Sequence, residues 1–323
     1  MDPFTLAAQY GVIPVINIPG EEFAQPLAEA LTQGGLPLIE VTLRNEHSLG
    51  ALKRIKQSMP GMTAGAGTVL SISQVDQALE AGADFIVTPG MNPKVVEYCL
   101  KKNIPVLPGC VTPTEIEAGM SLGLSLFKFF PSEQLGGVRT IEELSGPYRN
   151  VRFIPTSGIN LQNLPAYMSC PSVAAVGGSL MAPSPLVQAK DWDGIVQRCK
   201  QVVRASHGFH IVHVGLNGAN AQEGEERAKR FAEIFDLPYL PGGKSDFAGT
   251  MLESGKTKFP GTNGHIAVGT YNVERAAAYL QAKNIALRED WRKVDSQGRL
   301  VSVYLEEEIG GFAIHLLRNS EVK

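Results

Sequence analysis

The chain has 323 residues, of which 44% are hydrophobic and 19% charged, and its formal net charge is -3. That composition supplies a sizeable core and excludes a disordered chain, while the charge balance gives no electrostatic case for nucleic acid or an anionic membrane. Four scattered cysteines (Cys99, Cys110, Cys170, Cys199) form no CxxC pair and read as reduced thiols of a cytoplasmic protein. Residues 1–10 show no basic-then-apolar leader, and no apolar run reaches the roughly 18 residues of a membrane span.

Short apolar runs then recur, at 12–18, 38–44, 63–69, 85–90, 105–111, 126–131, 153–159 and 173–180. Between them lie helical patterns at 21–34, 46–58, 72–82, 93–102, 113–122, 138–146 and 160–168, and a last one at 185–206. Ser71 and Thr112 stand where helix N-caps are expected. Eight strand–helix units in about 200 residues predict a compact (β/α)8 TIM barrel, with a doubly wound open sheet as the alternative.

Strand periodicity sorts the residues within this pattern. In Leu38-Ile39-Glu40-Val41-Thr42-Leu43-Arg44, the polar residues Glu40, Thr42 and Arg44 share one face. The apolar set suits the outer helices, which turns the polar set inward. In Leu126-Phe127-Lys128-Phe129-Phe130-Pro131, a lysine interrupts a buried run. Burying an unpaired charge is costly, and a desolvated amine beside an apolar wall can attack a ketone. A snorkelling lysine or a structural ion pair is the plainer reading. Glycines cluster at strand ends, including Ser157-Gly158 and Gly177-Gly178-Ser179. In this fold the loops after strands seven and eight commonly cradle a phosphate.

Seven motifs stand in order over residues 5–205. They are Ile39-Glu40-Val41-Thr42-Leu43-Arg44, Gly65-Ala66-Gly67-Thr68, Thr88-Pro89-Gly90, Leu107-Pro108-Gly109-Cys110, Lys128-Phe129-Phe130-Pro131, Pro155-Thr156-Ser157-Gly158-Ile159 and Gly177-Gly178-Ser179. Together they resemble the KDPG/KHG aldolases, Schiff-base enzymes that cleave 2-dehydro-3-deoxy-6-phosphogluconate. The resemblance implies Lys128 as the Schiff-base lysine and Glu40 as the general acid/base. It implies Arg44 and Thr68 at the substrate carboxylate, Pro89 and Phe130 as walls beside the imine, and Gly158, Gly178 and Ser179 at the phosphate. It also implies a barrel without metal or organic cofactor, a small 2-oxo acid substrate and a homo-oligomer, commonly a trimer. Two residues depart from the family pattern: Ser157 stands where many members have glycine, and Leu180 where many have tryptophan. Both border the expected phosphate site. Cleavage of 4-hydroxy-2-oxoglutarate, or oxaloacetate decarboxylation by the same imine, therefore stays open as an alternative. So does a barrel that only binds or regulates.

From Phe209 the pattern changes. Strands are expected at 211–215, 249–253, 265–270, 299–305 and 312–317, with helices at 223–235 and 273–283. Two halves of about 55 residues suggest a duplicated architecture. The pieces His213-Val214-Gly215-Leu216-Asn217, Gly264-His265-Ile266-Ala267-Val268 and Gly310-Gly311-Phe312-Ala313-Ile314-His315-Leu316 resemble the vicinal-oxygen-chelate superfamily, which includes glyoxalase I. The resemblance implies an α+β domain of paired βαβββ-type modules over residues 207–323, following an aldolase barrel over residues 1–206. It also implies one metal ligand from each of four strands: His213, Glu253, His265 and His315. His315 replaces the glutamate common at the last position. Three imidazoles and a carboxylate suit Zn²⁺, Ni²⁺ or Fe²⁺, although members without metal are common.

Overall fold

The computed structural model describes residues 1–319. The chain divides into two compact units, Met1–Ser206 and His207–Lys323. Among the described residues no helix is long and apolar enough to cross a membrane.

The first unit is an α/β fold built on a curled parallel sheet. Its strands are β1 (Val12–Ile16), β2 (Leu38–Thr42), β3 (Thr63–Gly67), β4 (Phe85–Val87), β5 (Val106–Leu107), β6 (Leu126–Phe129), β7 (Arg152–Pro155) and β8 (Val176–Gly178). Parallel pairing runs β5-β4-β3-β2-β1-β8, and β6 pairs β7. Single bridges join Gly109 to Lys128, Phe153 to Val173 and Thr156 to Gly177.

Helices cover the outside because each carries one apolar stripe. Ala24–Gln33 buries Leu27, Ala28 and Leu31, and Ser48–Ser58 buries Ala51, Leu52 and Ile55. Both helices contact β2, whose Ile39 and Val41 are fully buried. Each buried leucine contributes about 2 kcal/mol through the area it removes from water. Both expected caps form. Ser71 Oγ accepts from Gln74 N, and Thr112 with Glu115 makes a reciprocal capping box.

Several elements differ from expectation. The strands end earlier, since Thr68, Ser157 and Gly158 all have positive φ and turn the chain out of the sheet. The expected helix at 185–206 is two helices, Ser184–Gln188 and Trp192–His207, separated by Lys190 at φ 56°. An additional helix, Pro3–Tyr10, is capped by Asp2.

The second unit holds β9 (His210–Leu216), β10 (Tyr239–Leu240), β11 (Ser245–Ala248), β12 (Leu252–Gly255), β13 (Gly264–Thr270), β14 (Leu287–Val294), β15 (Leu300–Ile309) and β16 (Phe312–Arg318). They form one sheet in the order β10-β11-β12-β9-β13-β16-β15-β14. Helix Ala221–Ile234 follows β9 and helix Val273–Ala282 follows β13. Each half therefore runs strand, helix, three strands. The halves meet where β9 pairs β13 antiparallel, and each central strand pairs in parallel with the last strand of its own half. The expected strand at 249–253 shifts to Leu252–Gly255 because Gly249, at φ 55°, turns the chain.

Leu216 and Leu252 pack beside Ala232 and Phe231 of the first helix. Val268, Ile314 and Leu316 pack beside Val273 and Ala276 of the second. Alternation along these strands sends His213, Glu253, His265 and His315 to the opposite face.

Candidate active site and a histidine cluster

Glu40 of β2 and Lys128 of β6 meet inside the first unit. Lys128 Nζ donates to Glu40 Oε1 at 3.2 Å, and both side chains are buried. A lone ammonium here would be costly, and the carboxylate supplies its partner. The close approach depends on Gly67. A Cβ there would collide with Glu40 Oε1 and lie 2.8 Å from its Cδ. The Phe130 ring stands 5.5 Å from Lys128 Nζ and forms an apolar wall. Gly109 bridges Lys128, and Pro89 packs so tightly on Gly109 that a Cβ would lie 2.5 Å from the Pro89 carbonyl carbon.

Arg44 follows β2 rather than lying in it, and is exposed. Its Nε donates to Thr68 Oγ1 at 3.2 Å. Thr42 and Thr156 are buried polar residues at strand ends; periodicity placed Thr42 on the inward face, whereas it did not single out Thr156. Gly158 follows β7, whereas Gly178 ends β8 and Ser179 lies exposed just beyond it. Thr156 and Gly177 bridge these two strands, and a Cβ on Gly177 would lie 2.6 Å from Thr156 Oγ1. Arg44, Thr68, Pro89, Phe130, Gly158, Gly178 and Ser179 thus lie at or just beyond strand C-termini, the end at which parallel α/β sheets bind ligands, while Glu40 and Lys128 lie within their strands.

The family model for KDPG and KHG aldolase matches residues 6–198, more than half of the chain. The chain belongs to the KDPG and KHG aldolase family. A 2-dehydro-3-deoxy-phosphogluconate aldolase of Treponema pallidum is 44% identical over 193 residues, covering 60% of this chain and 92% of the relative. The KHG/KDPG aldolase of Escherichia coli K12 is 39% identical over 195 residues, covering 60% and 92%. A crystal structure of KDPG aldolase from Legionella pneumophila, with pyruvate captured at low pH as a covalent carbinolamine intermediate, matches with a TM-score of 0.61 and 38% identity. That match covers 62% of this chain and 98% of the other. KDPG aldolases are Schiff-base lyases, and Lys128 lies within the matched region.

The family model stops at residue 198, before the second cluster of chemistry-bearing residues. On the helix-free face of the second sheet, His213, His265 and His315 bring ring nitrogens within 4.8 Å of one another. Glu253 Oε2 lies 3.2 Å from His213 Nε2 and 3.3 Å from His265 Nε2. The two Nε2 atoms are themselves 3.3 Å apart. Burial alone would raise the Glu253 carboxyl; contacts to His213 and His265 and the Ser245 hydroxyl outweigh it and hold the group well below the usual carboxylate range. Burial pushes His315 down to about 3, with His265 and His213 adding to the effect. Tyr304 stacks on the His315 ring at 4.7 Å. His265 needs Gly215 opposite, because any Cβ there would run into its ring.

Proposed function

We propose that the first unit is a closed (β/α)8 barrel. In this reading it cleaves 2-dehydro-3-deoxy-6-phosphogluconate to pyruvate and glyceraldehyde 3-phosphate. The observation that carries it is the buried Lys128–Glu40 contact at 3.2 Å, within a chain of this family. The single bridges from β5 to β6 and from β7 to β8 support the closed ring.

In this reading a proton passes from Lys128 Nζ to Glu40, and the free amine adds to the C2 carbonyl of the substrate. Glu40 returns the proton as water leaves the carbinolamine, which gives a protonated imine. The Glu40 carboxylate then takes the C4 hydroxyl proton. The C3–C4 bond breaks, its electrons pass into the imine as an enamine, and the aldehyde departs. Protonation at C3 and hydrolysis release pyruvate and restore the lysine. Arg44 and Thr68 hold the carboxylate, and Phe130 and Pro89 flank the imine. Gly158, Gly178 and Ser179 hold the phosphate. The imine serves as the electron sink, so this chemistry needs no metal. Borohydride reduction with pyruvate, followed by peptide mass spectrometry, tests the reading: a reduced adduct on Lys128 is expected, and its absence on folded protein overturns it.

The histidine cluster favours a second reading for the other unit, that of a vicinal-oxygen-chelate domain with a divalent metal. Ligands bound tetrahedrally at about 2.1 Å are about 3.4 Å apart. The contacts among His213, His265 and Glu253, at 3.2–3.3 Å, fit that spacing. His265 Nδ1 and both His315 nitrogens are buried without a hydrogen-bond partner. These four residues would hold Zn²⁺, Ni²⁺ or Fe²⁺, which supplies Lewis-acid polarisation of a bound oxygen.

A further inference from the structure

Beyond Phe130 and Pro131 the chain enters Ser132 and Glu133. Ser132 is fully buried. Its amide donates to Thr156 O at 2.9 Å, and the Glu133 amide donates to Ser157 O at 3.4 Å. The segment that leaves the lysine strand therefore lies directly against the turn after β7. Tyr167, in helix Leu164–Ser169, is 1% exposed. Its hydroxyl donates to Glu133 Oε1 and lies 2.8 Å from Ser132 Oγ. A phenol has one proton, so with that proton given to Glu133 the Ser132 hydroxyl donates to Tyr167. The chain of bonds runs Ser132 to Tyr167 to Glu133.

Glu133 is in turn pressed against the turn. A Cβ on Gly158 would lie 2.5 Å from Glu133 Cγ, and Gly158 has φ 80°. A Cβ on Gly137 would lie 2.8 Å from Glu133 Oε1 and 2.9 Å from the Tyr167 hydroxyl. Glycine on both sides lets the carboxylate occupy a slot that any other residue would fill. Ser157 Oγ donates to Gln134 Oε1 at 3.3 Å, a further tie between the same two segments.

We propose that Tyr167 and Glu133 are positioning residues that hold the 156–158 turn in the shape that receives the phosphorylated end of the substrate. This rests on the aldolase reading above, in which Gly158 belongs to the phosphate cradle. The side-chain hydrogen bonds of the pair run to Ser132 and to each other, and the Lys128–Glu40 contact is made without them. Loss of the pair therefore weakens binding of the phosphate-bearing substrate and leaves the imine chemistry in place.

The test compares steady-state cleavage of the phosphorylated 2-dehydro-3-deoxy-6-phosphogluconate and the unphosphorylated 4-hydroxy-2-oxoglutarate, with pyruvate trapping alongside. Tyr167→Phe and Glu133→Ala are expected to raise KM for the phosphorylated substrate about tenfold, the scale of one lost hydrogen bond to a charged group. The expected kcat stays within about threefold, and KM for the unphosphorylated substrate stays within about twofold, as in this reading the turn serves the phosphorylated end. Glu133→Gln keeps an acceptor for Tyr167 and is expected to restore KM to near the wild-type value. Equal rises for both substrates, a fall confined to kcat, or no change in Tyr167→Phe overturns the proposal while normal trapping leaves the aldolase reading intact. Wild-type protein that traps no pyruvate overturns both.

Discussion

Lys128 Nζ and Glu40 Oε1 lie 3.2 Å apart although 88 residues separate them in the chain. The side chains are 7% and 3% exposed, so neither charge has much water to fall back on. The contact is an ion pair and, in the proposed mechanism, a proton path. Lys128→Ala is expected to abolish cleavage and pyruvate trapping together. It also leaves a buried carboxylate without its partner, which lowers thermal stability. Glu40→Gln keeps the shape and loses the base. Its kcat is expected to fall by roughly 10²-fold or more, with the lysine still trapped by borohydride. Full activity in Lys128→Ala would remove the imine mechanism altogether.

Gly67 provides a separate test of the same geometry. It has no part in the chemistry, yet a Cβ there would collide with Glu40 Oε1. Gly67→Ala is expected to push the carboxylate from Lys128, lowering kcat by at least about tenfold and costing about 1–3 kcal/mol in overpacking. Gly61→Ala is the control, as its Cβ would have nothing within 4 Å. Matched kinetics and thermal melts of the two variants check this; equal kcat values would show that Glu40 does not depend on the notch.

Lys128 and Glu40 were legible in the sequence because a charge inside a buried strand calls for a partner. Gly67 and Thr156 were not, since what they accommodate comes from neighbouring strands and is set by register. The Ser132–Tyr167–Glu133 chain was hidden for the same reason: Tyr167 sits 34 residues beyond Glu133, on a separate six-residue helix. Strand alternation also overran the true strand ends, because positive φ at Thr68 and Ser157 leaves no hydrophobic signal. Strand β14 went unseen in a different way, as an edge strand with mostly exposed residues has no apolar alternation to read.

The histidine cluster predicts a metal content that can be counted. Protein dialysed against Zn²⁺, Ni²⁺ or Fe²⁺ and freed of excess is expected to retain about one equivalent per chain, measured by inductively coupled plasma mass spectrometry. His265→Ala removes a ring within 3.3 Å of both His213 and Glu253, and should bring retention close to zero. Chelation is expected to lower the melting temperature of the second unit, because the ion binds the folded arrangement of ligands. Metal-free wild-type protein after all three dialyses would sink the metal reading and leave the aldolase reading untouched.

His207 gives the second unit a predictable response to acid. The ring packs against Phe209 at 5.1 Å and Tyr279 at 4.4 Å, and neither nitrogen has a hydrogen-bond partner. Burial pushes its pKa from 6.5 down to about 3, and the charges of Arg275 and Lys283 add to the shift. In the unfolded chain the ring takes up a proton near pH 6.5, while the folded ring stays neutral until about pH 3. The unfolded state therefore binds more protons in that window. The stability held above pH 6.5 drains away as the pH falls toward 3. By pH 5 the stability lost through this one ring reaches at most roughly 2 kcal/mol, from 1.36 kcal/mol for each pH unit. His207→Phe keeps an aromatic ring in the stack and removes the titration. Melting curves at pH 7.5 and pH 5 are expected to show a smaller acid-induced drop for the variant than for the wild type. An identical drop in both would mean that the folded protein admits the proton at His207 without cost.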